Sequence, residues 1–359
     1  MGRAIGIAVV GTGYWGPGLA RNLEALAEAE LRHLVDLDVE RAQAVRDKLG
    51  SAAATHSDLD RALGDPKVEG VVIATPVHTH FELARRALLA GKHVFVEKPL
   101  ATTLEHCREL EALSAERELQ VMVGHIFRFN AAATQVKDYI DSGTLGDLLY
   151  LYSRRVNLGR VQADVNALWS FAPHDFSILQ HWLGFEPISV QARGFSYLQE
   201  GVEDVVFVTI SYPEGINAHL HLGWLDPRKV REMTVVGSKK MVVFDDVAPQ
   251  AKIQLYDSRV SKAPVGPTSY SEWQVDIRHG DVVVPSLHWV EPLKAELAHF
   301  VASIRDGTPC INPAADGTAV TTAILGAQLS LQRQGEEVFL DEVREAGTSL
   351  LAAVSGSRS

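Results

Sequence analysis

Three groups of residues in this sequence have types and spacings suited to chemistry. The first is Gly11-Thr12-Gly13-Tyr14-Trp15-Gly16, a GxGxxG lying between an apolar run and a helical segment. In that context Gly11 permits a tight turn, Gly13 lets a pyrophosphate approach the backbone, and Gly16 allows strand and helix to pack closely. The helix start adds free N–H groups and a positive dipole end, and Pro17 suits its first turn. Tyr14 and Trp15 fill the variable positions of the same candidate site. Asp36 closes the next apolar run, twenty positions after Gly16. An acid there accepts hydrogen bonds from ribose hydroxyls and repels a 2′-phosphate, which favours NAD and leaves NADP as the alternative. The competing role for Asp36 is a helix N-cap, which Asp38 could fill instead.

The second group is Glu97-Lys98-Pro99, after the apolar run Val94–Val96. Open α/β sheets bind ligands at the carboxyl ends of their strands. Pro99 biases Lys98 towards extended backbone. A lysine facing the positive ring of a nicotinamide is disfavoured as an ammonium and can polarise or deprotonate a hydroxyl. The competing reading is a surface ion pair with Glu97. The third group is Trp169-Ser170-Phe171-Ala172-Pro173-His174-Asp175. The sequence predicts a helix start here, with Pro173 in the first turn, and His174 suits proton transfer near neutral pH. A histidine at a helix start is also a common structural residue.

These groups need elements to hold them. Ile5–Val10, Leu31–Val35, Val71–Ala74, Val94–Val96 and Val121–Val123 read as short buried strands. Helical segments through about Glu28, over Val39–Leu49, Phe81–Leu89 and Leu104–Glu118 alternate with them. That alternation predicts an N-terminal Rossmann domain over residues 1–124, with a doubly wound parallel sheet. Beyond it, Leu148–Val156, Ile188–Phe195, Val205–Ser211, Ala218–Trp224 and Met233–Phe244 read as consecutive long strands. They predict an α+β domain over residues 125–345 with a large, open, mostly antiparallel sheet, binding substrate and mediating oligomerisation. Helices are expected over Ser177–Trp182, Leu293–Arg305 and Thr318–Gln332, a loop over Val260–Ser271, and a tail over 346–359. The fold class is α/β.

Composition narrows the function. The chain has 359 residues with 46% hydrophobic and 22% charged, enough for two cores and without a disorder signature. Its formal charge of −11 argues against nucleic acid or an anionic membrane as partner. Cys107 and Cys310 are too few for a disulfide framework, and the start of the sequence shows no signal peptide, so a cytoplasmic location is expected. His78-x-His80 and His219-x-His221 each share a strand face, but neither has further ligands at suitable spacing, so no metal is expected.

The motifs resemble the Gfo/Idh/MocA oxidoreductase family nearly from end to end: GTGYWG, Ala74-Thr75-Pro76-Val77-His78-Thr79-His80, Glu97-Lys98-Pro99 and the Trp169–Asp175 block. Gly223-Trp224-Leu225-Asp226-Pro227-Arg228-Lys229-Val230-Arg231 and Val236-Gly237-Ser238-Lys239-Lys240 resemble its branch acting on nucleotide-linked sugars. The resemblance implies that Lys98 and His174 flank the reacting carbinol as catalytic groups. It implies that Thr75, Pro76, His80 and Glu97 neighbour the cofactor. Where the family commonly has an acid four residues before the histidine, this chain has Ser170, which takes up no proton at neutral pH. Asp175 is the nearest acid in sequence. Arg128, Asn157 and Arg160, with Ser170 and Asp175, are the substrate-binding candidates; Arg128 and the Arg155–Arg160 run suit a pyrophosphate or carboxylate, or else a solvated surface. The implied activity is NAD-dependent hydride transfer at a ring secondary alcohol of a sugar, nucleotide-linked and at the 3-position. Inositol or aminocyclitol oxidation, 3-ketosugar reduction and a non-catalytic dinucleotide-binding regulator are the alternatives. A homodimer or homotetramer is expected from the open sheet.

Overall fold

A computed structural model describes residues 3–159, 161, 165–262 and 275–346. The chain divides into two compact units. Met1–Asn130, Val290–Thr322 and Arg344–Ser359 form the first, and Ala131–Trp289 with Ala323–Val343 the second.

In the first unit β1 (Ile5–Val10), buried throughout, turns through the glycine motif into α1 (Gly16–Glu24). Then come β2 (Ala29–Val35), α2 (Val39–Leu49), β3 (Ala54–His56), α3 (Leu59–Leu63) and β4 (Val68–Ile73). They are followed by α4 (His80–Leu89), β5 (His93–Glu97), α5 (Leu104–Glu116) and β6 (Val121–Gly124). All six strands are parallel, in the order β3-β2-β1-β4-β5-β6. The strand order runs in both directions from β1 and leaves a switch point there, the usual ligand crevice of such sheets. The short, polar β3 and α3 carry too little periodicity to be read from sequence.

The second unit begins with α6 (Ala131–Asp141), β7 (Leu148–Val156), α7 (Ala167–Leu183), β8 (Ser189–Phe195), β9 (Val205–Ser211) and β10 (Asn217–Gly223). The strands β11 (Val230–Gly237), β12 (Met241–Asp245), β13 (Ile253–Lys262) and β14 (Val275–Val283) continue it. After α8 (Pro292–Asp306) and α9 (Ala314–Gln332), β15 (Val338–Phe339) adds the last strand, before α10 (Leu340–Ala346). The nine-stranded order is β14-β13-β12-β11-β7-β10-β9-β8-β15, and β7–β10 is its parallel pair. Helices α6 and α7 pack on one face. On β7, Leu151 and Ser153 point into that buried side while Tyr150 and Tyr152 face out.

Four expectations change. The region from 125 to 345 is not one block, because α8 returns to the first unit: Leu293, Leu297, Phe300 and Val301 join the core beneath β1 and α1. Met233–Phe244 is two strands, split where the Gly237 N–H donates to Lys240 O at 3.1 Å. The helix expected over Ser177–Trp182 begins ten residues earlier at Ala167, capped by the Asn166 side chain, which accepts from Trp169 N at 3.1 Å. Pro173 therefore lies inside α7, not in its first turn. The loop expected over Val260–Ser271 gives way to β13 as far as Lys262; residues 263–274, like 347–359 of the expected tail, lie outside the described residues.

Candidate active site

The glycine motif is shaped for a ligand to reach its backbone. Gly11 has φ +91°, and a Cβ on it would stand 2.6 Å from Ala74 O. A Cβ on Gly16 would stand 2.0 Å from Gly11 O, so turn and helix pack backbone to backbone. A Cβ on Gly13 would meet nothing within 4 Å. The first and third glycines thus serve the fold, and the second keeps an open approach. Trp15, at the N-cap of α1, makes no capping bond with its side chain, which leaves the helix N–H groups to a phosphate. Tyr14, 84% exposed, meets Trp15 edge to face at the rim of this turn.

Asp36 stands at the end of β2, beside the turn. Its carboxylate accepts from Thr12 N at 2.7 Å, Thr12 Oγ1 at 2.8 Å and Asp38 N at 2.9 Å. Burial alone would raise its pKa, but the Thr12 and Asp38 N–H groups and the Thr12 hydroxyl outweigh it and hold the carboxyl below its ordinary range. About one of its four acceptor positions remains for a ribose hydroxyl. Asp38 caps α2, accepting from Arg41 N at 3.2 Å, so Asp36 is released from that duty.

Farther along the same edge, Thr75 and Pro76 follow β4, and Lys98 follows β5. His80 is buried between them: its Nδ1 faces Pro99 O and its Nε2 faces Thr75 O, both at 2.9 Å. Burial, aided by the Lys98 charge, lowers its pKa in spite of both carbonyls. It braces two loops instead of opening to a ligand. Thr79 Oγ1 donates to Pro76 O and meets Thr75 Oγ1, both at 2.7 Å, which stiffens the first of them. The peptide bond between Lys98 and Pro99 is cis. Burial pushes the Glu97 carboxyl up to about 7, against the pull of Lys98.

The second unit distributes its candidates differently. His174 and Ser170 are half-buried one turn apart on α7, hence on one helix face. Asp175 is fully buried: its carboxylate accepts from Ser153 Oγ and Arg155 Nε of β7. Both of its carboxylate oxygens are thus engaged in tying α7 to the sheet. Asn157 follows β7, half-buried, its N–H donating to Gly223 O at 3.1 Å. Arg160 lies outside the described residues. Arg128, in the first unit, donates to Asp316 and, at 2.9 Å, to Ile311 O. That pairing ties the segment after β6 to the start of α9 and engages Arg128 through Nη1. Among the described residues no group of three His, Cys, Asp or Glu is placed to hold a metal, and no helix is long and apolar enough to cross a membrane.

Comparison with known proteins decides the family. Residues 5–125 match the model described as "Oxidoreductase family, NAD-binding Rossmann fold", and residues 133–243 match the GFO/IDH/MocA C-terminal domain. An uncharacterized oxidoreductase of Streptococcus pneumoniae is 30% identical over 253 residues, 66% of this chain and 67% of that one. The chain belongs to the Gfo/Idh/MocA family. An inositol 2-dehydrogenase of Salmonella typhimurium is 30% identical over 219 residues, 59% of this chain and 64% of that one. The UDP-N-acetylglucosamine 3-dehydrogenase GnnA of Acidithiobacillus ferrooxidans superposes with TM-score 0.77 over 92% of this chain and 99% of its own. At 23% identity that likeness is one of fold.

This member of the Gfo/Idh/MocA family is accordingly an oxidoreductase with an NAD-binding Rossmann domain. The open approach at Gly13, the uncapped start of α1 and the ionised Asp36 fit the dinucleotide. Two polar groups escaped the sequence reading. His125, after β6, is buried with both ring nitrogens lacking a hydrogen-bond partner, and burial with the Arg128 and Lys98 charges pushes it down to about 3. Glu296 lies inside the first unit's core. Its signal was available, since an acid falls on the apolar stripe of Leu293, Leu297 and Phe300.

Proposed function

We propose that this protein transfers a hydride between NAD and a ring secondary alcohol of a sugar, nucleotide-linked and at the 3-position, with Lys98 taking the hydroxyl proton. The observation that carries this reading is the row at the carboxyl edge of the sheet. The order β2-β1-β4-β5 sets Asp36, the glycine turn, Thr75-Pro76 and Lys98 side by side. With adenosine at Asp36 and phosphates at the turn, the nicotinamide end extends towards Lys98. NAD supplies a two-electron acceptor. As the carbinol carbon gives up its hydride, the hydroxyl proton passes to Lys98 and a ketone results; the reverse reduction returns both. His174, on the second unit, is the other candidate for that proton. Ser170 at the preceding turn contributes a hydroxyl and not a carboxylate, so the proton is not passed to an acid there. The inositol and nucleotide-sugar dehydrogenases among the relatives support a polyhydroxylated ring as substrate.

A second reading, a dinucleotide-binding regulator without turnover, draws on Ser170 and on the engagement of Asp175 with Arg155. Absorbance at the reduced-nicotinamide band, with NAD and a panel of UDP-sugars, dTDP-sugars and inositols, separates the two. Reduction of NAD by one panel member establishes the dehydrogenase. Tight NAD binding with no reaction in either direction supports the regulator. We also assign the outward face of the second unit's sheet, with Tyr150, Tyr152 and Phe195 exposed, to a second copy in a homodimer or homotetramer. Light scattering giving a monomer's mass would refute that assignment.

A further inference from the structure

The second unit's sheet carries charges that serve no packing role. Arg154 on β7, Glu232 on β11 and Asp245 on β12 stand directly opposite one another in the antiparallel register, so their side chains form a row on one face. Ser153 and Arg155, on either side of Arg154 in sequence, point to the other face, where they hold Asp175 of α7. The row therefore lies on the side of the sheet away from α7 and His174. It sits towards the end of β7 away from Tyr150, beside the turn that leads into β11.

That turn is held in place by Asp226, which accepts from Arg228 N at 3.0 Å through Oδ1 and pairs through Oδ2 with Arg154 Nη2 at 3.5 Å. Arg154 thus has a counter-ion. Arg228 and Lys229, both exposed, make no ion pair among the described residues. Glu232 and Asp245 make none either, although like charges directly opposite on neighbouring strands repel. Asp245 Oδ1 accepts from Val247 N at 2.9 Å and Ala248 N at 3.2 Å, which fixes that carboxylate and leaves Oδ2 open.

Arg154, Arg228, Lys229, Glu232 and Asp245 line one cavity of about 300 Å³, the size of a small-molecule site. Its walls carry two cations without counter-ions and two carboxylates without cations. A bare anion matches the cations and is repelled by the carboxylates. A ligand with both a phosphate and hydroxyl groups matches all four: the guanidinium and ammonium donate to phosphate oxygens, and the carboxylates accept from hydroxyls. We propose that this cavity, formed wholly within the second unit, is a further binding site for a phosphorylated sugar. Arg228 and Lys229 hold the phosphate, and Glu232 and Asp245 hold ring hydroxyls. Occupancy of the site is independent of which group takes the substrate proton.

Calorimetric titration of the full-length protein, saturated with NADH so that the glycine turn is filled, compares glucose 6-phosphate with inorganic phosphate. Glucose 6-phosphate should bind about tenfold more tightly or better. Arg228→Ala combined with Lys229→Ala should weaken both ligands by about tenfold or more, the worth of a hydrogen bond between charged groups. Glu232→Ala should bring the two affinities together, because the hydroxyl contact goes while the anion is repelled less. NADH affinity and melting temperature should stay with the parent's in both variants, since the altered side chains are exposed or half-buried. Glucose 6-phosphate that binds no tighter than phosphate, or as tightly in the double variant as in the parent, overturns the proposal. Absence of binding to the parent overturns it too; a lower mass of the double variant in light scattering would then assign these charges to a contact with a second copy.

Discussion

At the carboxyl edge of the first unit's sheet, the groups suited to chemistry sit on turns that follow strands. In the second unit the most deeply buried ion pair among the described residues, Asp175 with Arg155, lies between α7 and β7. Both places are rich in polar residues, but the first uses backbone shape, in its glycine turn, to open an approach for a ligand. The second spends side chains on cohesion. The difference teaches where to look: a charged residue on a strand end is a candidate for chemistry, and one facing a sheet across a helix is a candidate for packing.

Removing the central group of the edge should have the largest effect. Lys98→Ala is expected to lower kcat by about 10² to 10⁴, the worth of a positioned acid–base group, while NAD still binds. Steady-state rates on whichever panel sugar reacts, with calorimetric titration of NAD, check both halves. Parental turnover would remove the edge's claim to the chemistry.

Asp175→Ala tests the other side of the comparison. Leaving Arg155 buried without its partner should cost about 3–5 kcal/mol of stability in denaturant unfolding. A variant as stable as the parent but without turnover would return Asp175 to the substrate site, and the contrast between the units would fail.

The glycine motif separates the two roles within a single hexapeptide. Because a Cβ on Gly13 meets no atom within 4 Å, Gly13→Ala should leave stability unchanged or raise it by up to about 1 kcal/mol. Its NAD affinity should nevertheless fall about tenfold or more, equivalent to about 1.4 kcal/mol. Gly16→Ala should do the opposite and destabilise, since its Cβ would lie 2.0 Å from Gly11 O. Unchanged NAD affinity in Gly13→Ala would mean that the phosphates lie elsewhere.

The same logic explains what was legible in the sequence. Buried parallel strands write themselves as apolar runs, and glycine turns have few conformational alternatives, so β1, β4 and the GxGxxG could be placed without coordinates. The strand Leu148–Val156 was read to the residue because turn-forming residues flank it. Side-chain partners across distant segments leave no such trace. Arg128 finds Asp316 188 positions away, and nothing local separates that arginine from a pyrophosphate ligand. Pro173 misled because prolines favour first turns, whereas α7 runs through it under the weight of its buried apolar residues. Glu296 was missed because an acid in an amphipathic helix is assumed to face water.

The smallest expected effect concerns a cluster of the first unit that behaves as the second unit does. Beside β2 and β3, His33 Nδ1 meets His56 Nε2 at 2.9 Å, and His33 Nε2 meets Asp65 at 3.0 Å. The His56 ring donating to His33 satisfies the contact between them. Burial, and then the His33 ring, lower the His56 pKa. For Asp65, burial alone would raise the pKa, but the Lys67 N–H, His33 and Arg32 outweigh it and hold the carboxyl far below its usual range. Both shifts make the unfolded chain bind more protons, so both remove stability as pH falls. The His56 contribution goes as pH drops below about 6.5, and the Asp65 contribution only below about 4. His56→Gln keeps a donor to His33 but does not titrate. Between pH 7 and pH 5 its melting temperature should fall less steeply than the parent's, by a margin that other histidines whose pKa burial lowers, such as His93 and His125, keep modest. Below about pH 4 the two curves should run parallel, because Asp65 is untouched. Curves already parallel from pH 7 to pH 5 would show that this cluster does not behave like the Asp175–Arg155 pair.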